Sequence, residues 1–445
     1  MSRREELKTR ILDLVGAYYD EVHRPKPWRE GDRIPYGGRV FDAEEMKALT
    51  EACLDFWLTS GRWSSAFEER FASYLGVGRS LLVNSGSSAN LLAFMALTSP
   101  LLGDQALRRG DEVITVAAGF PTTVAPIVQY GAVPVFVDVT LPTGNVDVGA
   151  LDEALSERTK AVFLAHTLGN PFDVKAVRAF CDRHSLRLIE DNCDALGSEV
   201  LAEGGRRLTG TFGDLATSSF YPPHHMTMGE GGAVCTSDER LHRIVLSLRD
   251  WGRDCVCPSG VDDSCGCRFS GQFGTLPFGY DHKYVYSHFG YNLKATDLQA
   301  AIGVAQLRKV PAFVEARRRN WAFLRRALES LEDFFLLPEA TEGTEPSWFG
   351  FLLTVRPEAP FSRDDAVAHL EAKGIQTRML FAGNLTRHPC FDALRVSGQE
   401  WRVVGELDVT DRIMRDTFWI GVYPGLDEAR LTRMVEALES LCGRL

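Results

Sequence analysis

The chain predicts an α/β fold: a large domain built on a mostly parallel sheet, followed by a smaller C-terminal α+β domain. Three observations predict it. Short β-rich runs alternate with helical stretches from about residue 45 to 305. Two of those runs, 133–137 and 161–165, are apolar throughout, as strands buried on both faces are. A Glu- and Thr-rich turn at 339–345 then separates this region from a second one.

In chain order, residues 1–45 place Ile11, Leu12, Leu14, Val15 and Tyr18 at helical spacing, so this segment is read as helical. Residues 46–310 form the predicted large domain. Its strands are expected at 81–83, 112–116, 133–137, 161–165 and 186–190, each followed by a Gly, Asn or Asp turn. A helix is expected over 91–97, and another from Thr296 that is interrupted near Pro311. Residues 311–445 form the smaller domain, with a strand at 349–355 and a closing helix from Glu428.

Composition narrows the function classes. With 445 residues, 45% of them hydrophobic and 24% charged, the chain is an ordinary globular one, long enough for two or three domains. Its net charge of −11 argues against nucleic acid or an anionic membrane as a partner. The N-terminus has mixed charge without the apolar core of a signal peptide, and no run of ~18 apolar residues occurs, so a cytoplasmic protein is expected. Ten cysteines in such a chain read as ligands, core residues or reactive thiols rather than disulfides.

Several motifs carry chemistry. Asn84-Ser-Gly-Ser-Ser-Ala-Asn, between a strand and a helix, offers free N–H groups and the positive end of a helix dipole to a phosphate. A plain serine-capped turn would look the same. Asp191 ends a strand, where α/β proteins bind ligands, and a carboxylate there can pair with a protonated pyridine nitrogen; a helix N-cap is the bland alternative. Phe120, after the strand 112–116, can stack on a ring or fill the core. Ser219-Phe-Tyr-Pro-Pro-His224-His225-Met-Thr-Met-Gly-Glu-Gly-Gly closes the set.

Together these segments resemble the DegT/DnrJ/EryC1 family of sugar aminotransferases, with the aspartate-aminotransferase-like fold (fold type I). More narrowly they resemble its 3-dehydrase subgroup. The similarity runs from about residue 30 to the C-terminus and includes Ala165-His-Thr-Leu-Gly-Asn-Pro, Glu190-Asp-Asn-Cys-Asp-Ala-Leu-Gly, Arg249-Asp-Trp-Gly-Arg-Asp-Cys, Gly290-Tyr-Asn-Leu-Lys, Ser347-Trp-Phe-Gly-Phe and Phe418-Trp-Ile-Gly-Val-Tyr-Pro-Gly. In the aminotransferases the position of His224 is a lysine that binds pyridoxal phosphate (PLP) as a Schiff base. Histidine keeps the capacity of a base and removes the covalent anchor. The resemblance implies that Gly86, Ser87 and Ser219 hold the cofactor phosphate and that Asn292 reaches it from a partner in a homodimer. It implies that Asp191 pairs with the ring nitrogen and Phe120 stacks on the ring. Asp194, Tyr221 and Phe349 match positions that set the dehydrases apart, and Lys294 stands where many relatives carry arginine.

Four cysteines crowd the Gly/Asp/Ser-rich loop 255–267. The resemblance implies a [2Fe–2S] cluster on Cys193, then, after 61 residues, Cys255, Cys257 and Cys265. That set leaves Cys267 over. A structural zinc site made of the loop's own four cysteines competes with it, although Cys-x-Cys spacing is atypical of zinc.

The activity implied is C3 deoxygenation of a nucleotide-linked 4-keto-6-deoxyhexose with non-covalent pyridoxamine phosphate (PMP). His224, or its neighbour His225, serves as the base. Two electrons arrive one at a time through the cluster from a separate NAD(P)H-dependent flavin/iron–sulfur reductase. The product is a 3-deoxy-4-keto sugar nucleotide, a precursor for lipopolysaccharide or glycosylated metabolites. Arg378 and Arg387 are candidates for the substrate pyrophosphate. A sugar aminotransferase or a redox-free 3-dehydratase of the same fold is the alternative, and a non-catalytic sugar-nucleotide or cofactor-binding regulator is a further one.

Overall fold

The computed structural model describes residues 2–443. Its strands are β1 (Arg79–Val83), β2 (Glu112–Val116), β3 (Val133–Val137), β4 (Thr159–Ala165), β5 (Arg187–Asp191), β6 (Glu199–Ala202), β7 (Gly205–Leu208) and β8 (Leu215–Ser219). They continue with β9 (Gly232–Thr236), β10 (Phe335–Leu336), β11 (Thr344–Glu345), β12 (Gly350–Val355), β13 (Thr377–Arg378), β14 (Arg402–Val403) and β15 (Thr417–Gly421).

Eight strands form one sheet in the order β1-β9-β8-β5-β4-β2-β3-β14. Neighbours from β8 to β14 run parallel, while β9 is antiparallel to both β8 and β1. Helices cover both faces, which is why the apolar runs are continuous. Ile114, Val135, Val162 and Leu188 pack with Val177 and Phe180 of the helix Val174–His184. Their chain neighbours Val113, Ala161, Phe163 and Ile189 pack on the other face with Leu92, Phe94, Ile244 and Leu248. Successive side chains of a strand point to opposite faces, so every position must be apolar.

The helix after β1 starts at Gly86, ahead of the apolar run at 91–97, because Ser85 caps it by accepting from the Ser88 N–H at 3.1 Å. Near Pro311 one helix, Asp297–Leu307, ends and another, Val310–Ala327, begins with the proline in its first turn, where no N–H is needed.

The C-terminal part builds a second, antiparallel sheet, β10-β12-β15-β13. It also feeds two strands elsewhere: β11 pairs with β6, and β14 extends the large sheet beside β3. Each is two residues long, too short to show as a hydrophobic period. Residues 251–291 form a long excursion whose ends are tied by the bridges Asp250↔Asn292 and Arg253↔Tyr286. Among the described residues, no helix is long and apolar enough to cross a membrane.

Glu112 at the start of β2 secures β14. Its side chain is 2% exposed and accepts from Arg402 at 2.9 Å, Arg158 at 2.9 Å and Ser156 at 2.8 Å. Burial alone would raise its pKa, but these bonds hold it below the ordinary carboxylate value. Replacing Glu112 with alanine leaves Arg402 without a carboxylate, while Arg158 keeps its pair with Glu400 at 2.6 Å. The expected loss is roughly 2 kcal/mol, less than for a fully buried pair because both arginines keep solvent contact. Differential scanning calorimetry should show the lower Tm, and an unchanged Tm would deny Glu112 this role.

Candidate active site

The site forms where the carboxyl ends of β5 and β8 meet the first turns of two helices. Asp191 ends β5 and is buried. Its Oδ2 accepts from Asn90 Nδ2 and from Thr123 Oγ1, both at 2.8 Å, and its Oδ1 accepts from the Cys193 N–H at 3.2 Å. Asn90 is fixed in turn by Thr217 of β8, whose hydroxyl donates to Asn90 Oδ1 at 2.6 Å. The carboxylate is therefore held rigidly with lone pairs to spare, which suits pairing with a cationic ring N–H. Phe120 caps the helix that carries Thr123, and its ring is half exposed, open on one side to another ring.

Beside this lies a cradle for a small anion. The helix Gly86–Leu97 points its N-terminus at Ser219, the last residue of β8. The approach is so close that a Cβ on Gly86 would come within 2.4 Å of Ser219 Cβ, so only glycine fits. Ser87 is exposed at the same turn. N–H groups of a helix's first turn and two serine hydroxyls are the donors a phosphate needs.

The turn after β8 sends its two histidines to different environments. His224 faces Asp194, with Nε2 3.4 Å from Oδ1, and its ring packs 5.3 Å from Phe349 and 6.3 Å from Tyr221. If Nε2 carries the hydrogen toward the carboxylate, Nδ1 holds a lone pair, and that atom is buried without a hydrogen-bond partner. Burial raises the Asp194 carboxyl pKa, against the opposing pull of His224. His225 is buried, and its Nε2 donates to the Ser347 carbonyl at 2.7 Å. Burial first, and then Arg317, hold its pKa well below the ordinary histidine value. Tyr221 is half exposed, and Phe349 lies against both histidines rather than beside Phe120.

The cysteines fall into two groups. Cys255, Cys257 and Cys265 line one small cavity with Arg268, His282 and Lys283. Cys265, Cys267 and His282 bring their ligand atoms within 4.8 Å of one another, and His282 is steadied by Asp254 at 2.7 Å. Cys193 neighbours Asp191 and Asp194 instead, and burial pushes its thiol pKa well above the ordinary value. The loop thiols are thus gathered as a soft-metal site requires, while Cys193 belongs to the end of β5.

Asn292 is exposed just past the excursion 251–291, in its bridge with Asp250, and the Lys294 ammonium lies over the Trp251 ring at 3.6 Å. Arg387 is engaged by Asp411 through Nε at 2.8 Å, whereas Arg378 lies exposed over Tyr36 at 3.9 Å. Three residues of the site went unassigned in the sequence. Thr123 and Thr217 are ordinary threonines until the sheet brings them to Asp191, and Arg317 sits in a helix far along the chain. Asn90 is the seventh residue of the Asn84 motif, one helical turn beyond Gly86, and that spacing was a usable signal.

The model of the DegT/DnrJ/EryC1/StrS aminotransferase family matches residues 40–439, and the chain belongs to that family. It is 52% identical over 438 residues to the lipopolysaccharide biosynthesis protein RfbH of Salmonella typhimurium, covering 98% of each chain. It is 50% identical over 433 residues to the dTDP-4-dehydro-2,6-dideoxy-D-glucose 3-dehydratase of Saccharopolyspora spinosa, covering 97% of this chain and 92% of that one. Among solved structures it is similar to the Escherichia coli GDP-4-keto-6-deoxy-D-mannose-3-dehydratase with bound hydrated PLP. The TM-score is 0.80 at 28% identity, over 92% of this chain and 99% of that one. The fold is accordingly the type I, aspartate-aminotransferase-like one.

The depressed pKa of His225 has a consequence for stability. The unfolded chain binds a proton there near pH ~6.5 that the native state refuses, so stability is full above that pH and declines as the pH falls below it. His225→Gln keeps a donor for the Ser347 carbonyl and removes the titration. Thermal denaturation from about pH 7.5 down to about 5.5 should show a shallower fall in Tm for the variant than for the native chain. Equal slopes would place the acid sensitivity elsewhere.

Proposed function

We propose that this protein is a 3-dehydratase of a nucleotide-linked 4-keto-6-deoxyhexose, using non-covalent PMP and electrons supplied through a [2Fe–2S] cluster. The observation that carries the proposal is the imidazole–carboxylate pair His224–Asp194, set where related aminotransferases carry a lysine. When bound, the cofactor supplies an amine for the 4-keto group and a ring that acts as an electron sink.

Gly86, Ser87 and Ser219 hold its phosphate, joined by Asn292 from a second subunit of a homodimer. Asp191 pairs with the ring nitrogen, and Phe120 covers the ring face. His224 takes up a proton as a neutral base, and Asp194 orients its imidazole and stabilises the positive charge it acquires. Tyr221 and Phe349 flank that imidazole and limit water around it. Arg378, which has no carboxylate beside it among the described residues, takes the substrate pyrophosphate. Tyr36, Trp419 and Phe349 form an aromatic path from it to His224.

Loss of the C3 hydroxyl as water and its replacement by hydrogen consumes two electrons and two protons. No side chain here can supply the electrons, so an NAD(P)H-dependent reductase is the required partner. Cys255, Cys257 and Cys265, with Cys193, are the proposed cluster ligands. The S. spinosa relative is named as a 3-dehydratase, and the S. typhimurium relative as a lipopolysaccharide biosynthesis protein, which supports this substrate class.

His224→Asn should leave PMP binding intact and abolish C3–O cleavage when assayed with a reductase and 4-keto-6-deoxy sugar nucleotides. Dehydration at the native rate would remove His224 as the base. Anaerobically purified protein should contain iron and sulfide in about two-to-two ratio per chain. Colourless protein containing zinc alone would sink the redox part of the proposal.

A further inference from the structure

Arg317 is the largest fully buried side chain of the molecule. A guanidinium taken out of water calls for a carboxylate partner. Here its three hydrogen bonds go to backbone carbonyls instead: Trp348 at 3.1 Å, His224 at 3.3 Å and Pro223 at 3.4 Å. Its Nε has no partner among the described residues, and its Cζ stands 5.7 Å from the centre of the Phe349 ring. Asp194 is the carboxylate that acts on it, and burial pushes its pKa down to about 9.

An apolar side chain of that volume would fill the same space at no greater cost, so packing alone does not account for an arginine. What the guanidinium does that methionine cannot is hold three oxygens in a fixed plane. Those oxygens belong to the two segments that make the base site: the turn carrying His224 and the strand entry carrying Phe349. The helix Val310–Ala327 that delivers Arg317 is itself well anchored on the same face. Asn320 donates to the carbonyls of Val422 and Tyr423 at 3.3 and 3.1 Å, and Trp321 stacks on Trp348 at 4.2 Å.

We propose that Arg317 is a positioning residue for His224: it pins the Pro223 and His224 carbonyls to the Trp348 carbonyl and thereby holds the imidazole against Asp194 and Phe349. The inference rests on His224 being the base. It touches neither substrate nor cofactor, so its loss should appear in turnover and not in binding.

Arg317→Met should lower kcat about 100-fold, the effect of a reacting group displaced by about an ångström. KM for the sugar nucleotide and PMP affinity should stay within about twofold. Arg317→Lys keeps a charge but cannot span three oxygens, so it should fail similarly, and it serves if the methionine variant does not fold. A spectroscopic arm is independent of turnover. His224→Lys loaded with PLP should turn yellow as the lysine captures the cofactor. Adding Arg317→Met should weaken or abolish that band. Native kcat in both Arg317 variants, or an undiminished band in the double variant, overturns the positioning role. Absence of the band in His224→Lys alone overturns the assignment of position 224, and this inference falls with it.

Discussion

The Asp191 carboxylate is the constraint around which the site is arranged. A buried carboxylate must have its oxygens bonded, and it lies where β5 runs out of strand partners. Asn90, Thr123 and the Cys193 amide answer that need, and Thr217 secures Asn90. Asn90 rides on the helix that begins at Gly86, and Thr123 on the helix capped by Phe120. One buried carboxylate thus fixes the N-terminus of the helix that begins at Gly86 and the exposed Phe120 ring relative to one another. Moving either would break a bond inside the protein, so the constellation is rigid before anything binds.

The His224 turn depends on a different support. His224 belongs to a turn without regular structure, and a turn by itself does not hold an imidazole in one place. The helix Val310–Ala327 supplies what the turn lacks, through Arg317 below and through Trp321 stacked on Trp348. The same helix reaches the strand end at Val422 and Tyr423, so the geometry of the His224 turn is tied to the C-terminal sheet. The two neighbouring histidines differ in burial and in partner. His225 is enclosed and its N–H is spent on a backbone carbonyl, while His224 is half-buried and faces a carboxylate.

The excursion 251–291 sits outside this framework. Its four cysteines lie close together because tight turns such as Asp263–Gly266 fold it back on itself. It is closed at its base by the bridges Asp250↔Asn292 and Arg253↔Tyr286, and it meets the body through a contact between Ser60 and Ser259 at 3.3 Å. Cys193, by contrast, is part of the rigid end of β5. A centre shared between them would join an exposed loop to the buried end of the large sheet.

Much of this was legible in the residues. Fully apolar runs marked strands covered on both faces, Thr296 marked a helix start, and Asn84–Asn90, Asp191 and Ser219 marked strand ends of the large sheet, while the helix expected at 91–97 begins at Gly86. These are local signals, carried by periodicity and by backbone chemistry within a few residues. The two-residue strands β11 and β14 left no such trace, since pairing partners more than a hundred residues away decide them. Cys265 and Cys267 are both within reach of His282, and only the folded loop shows it. The sequence by itself determined the fold class, the family and the kinds of groups available for catalysis, because those depend on residue type and spacing. Only the tertiary structure decided which histidine faces Asp194, which arginine is free of carboxylates, and that Arg317 underlies the His224 turn. Burial and partner choice arise between segments remote in the chain, and neighbouring residues carry no record of them.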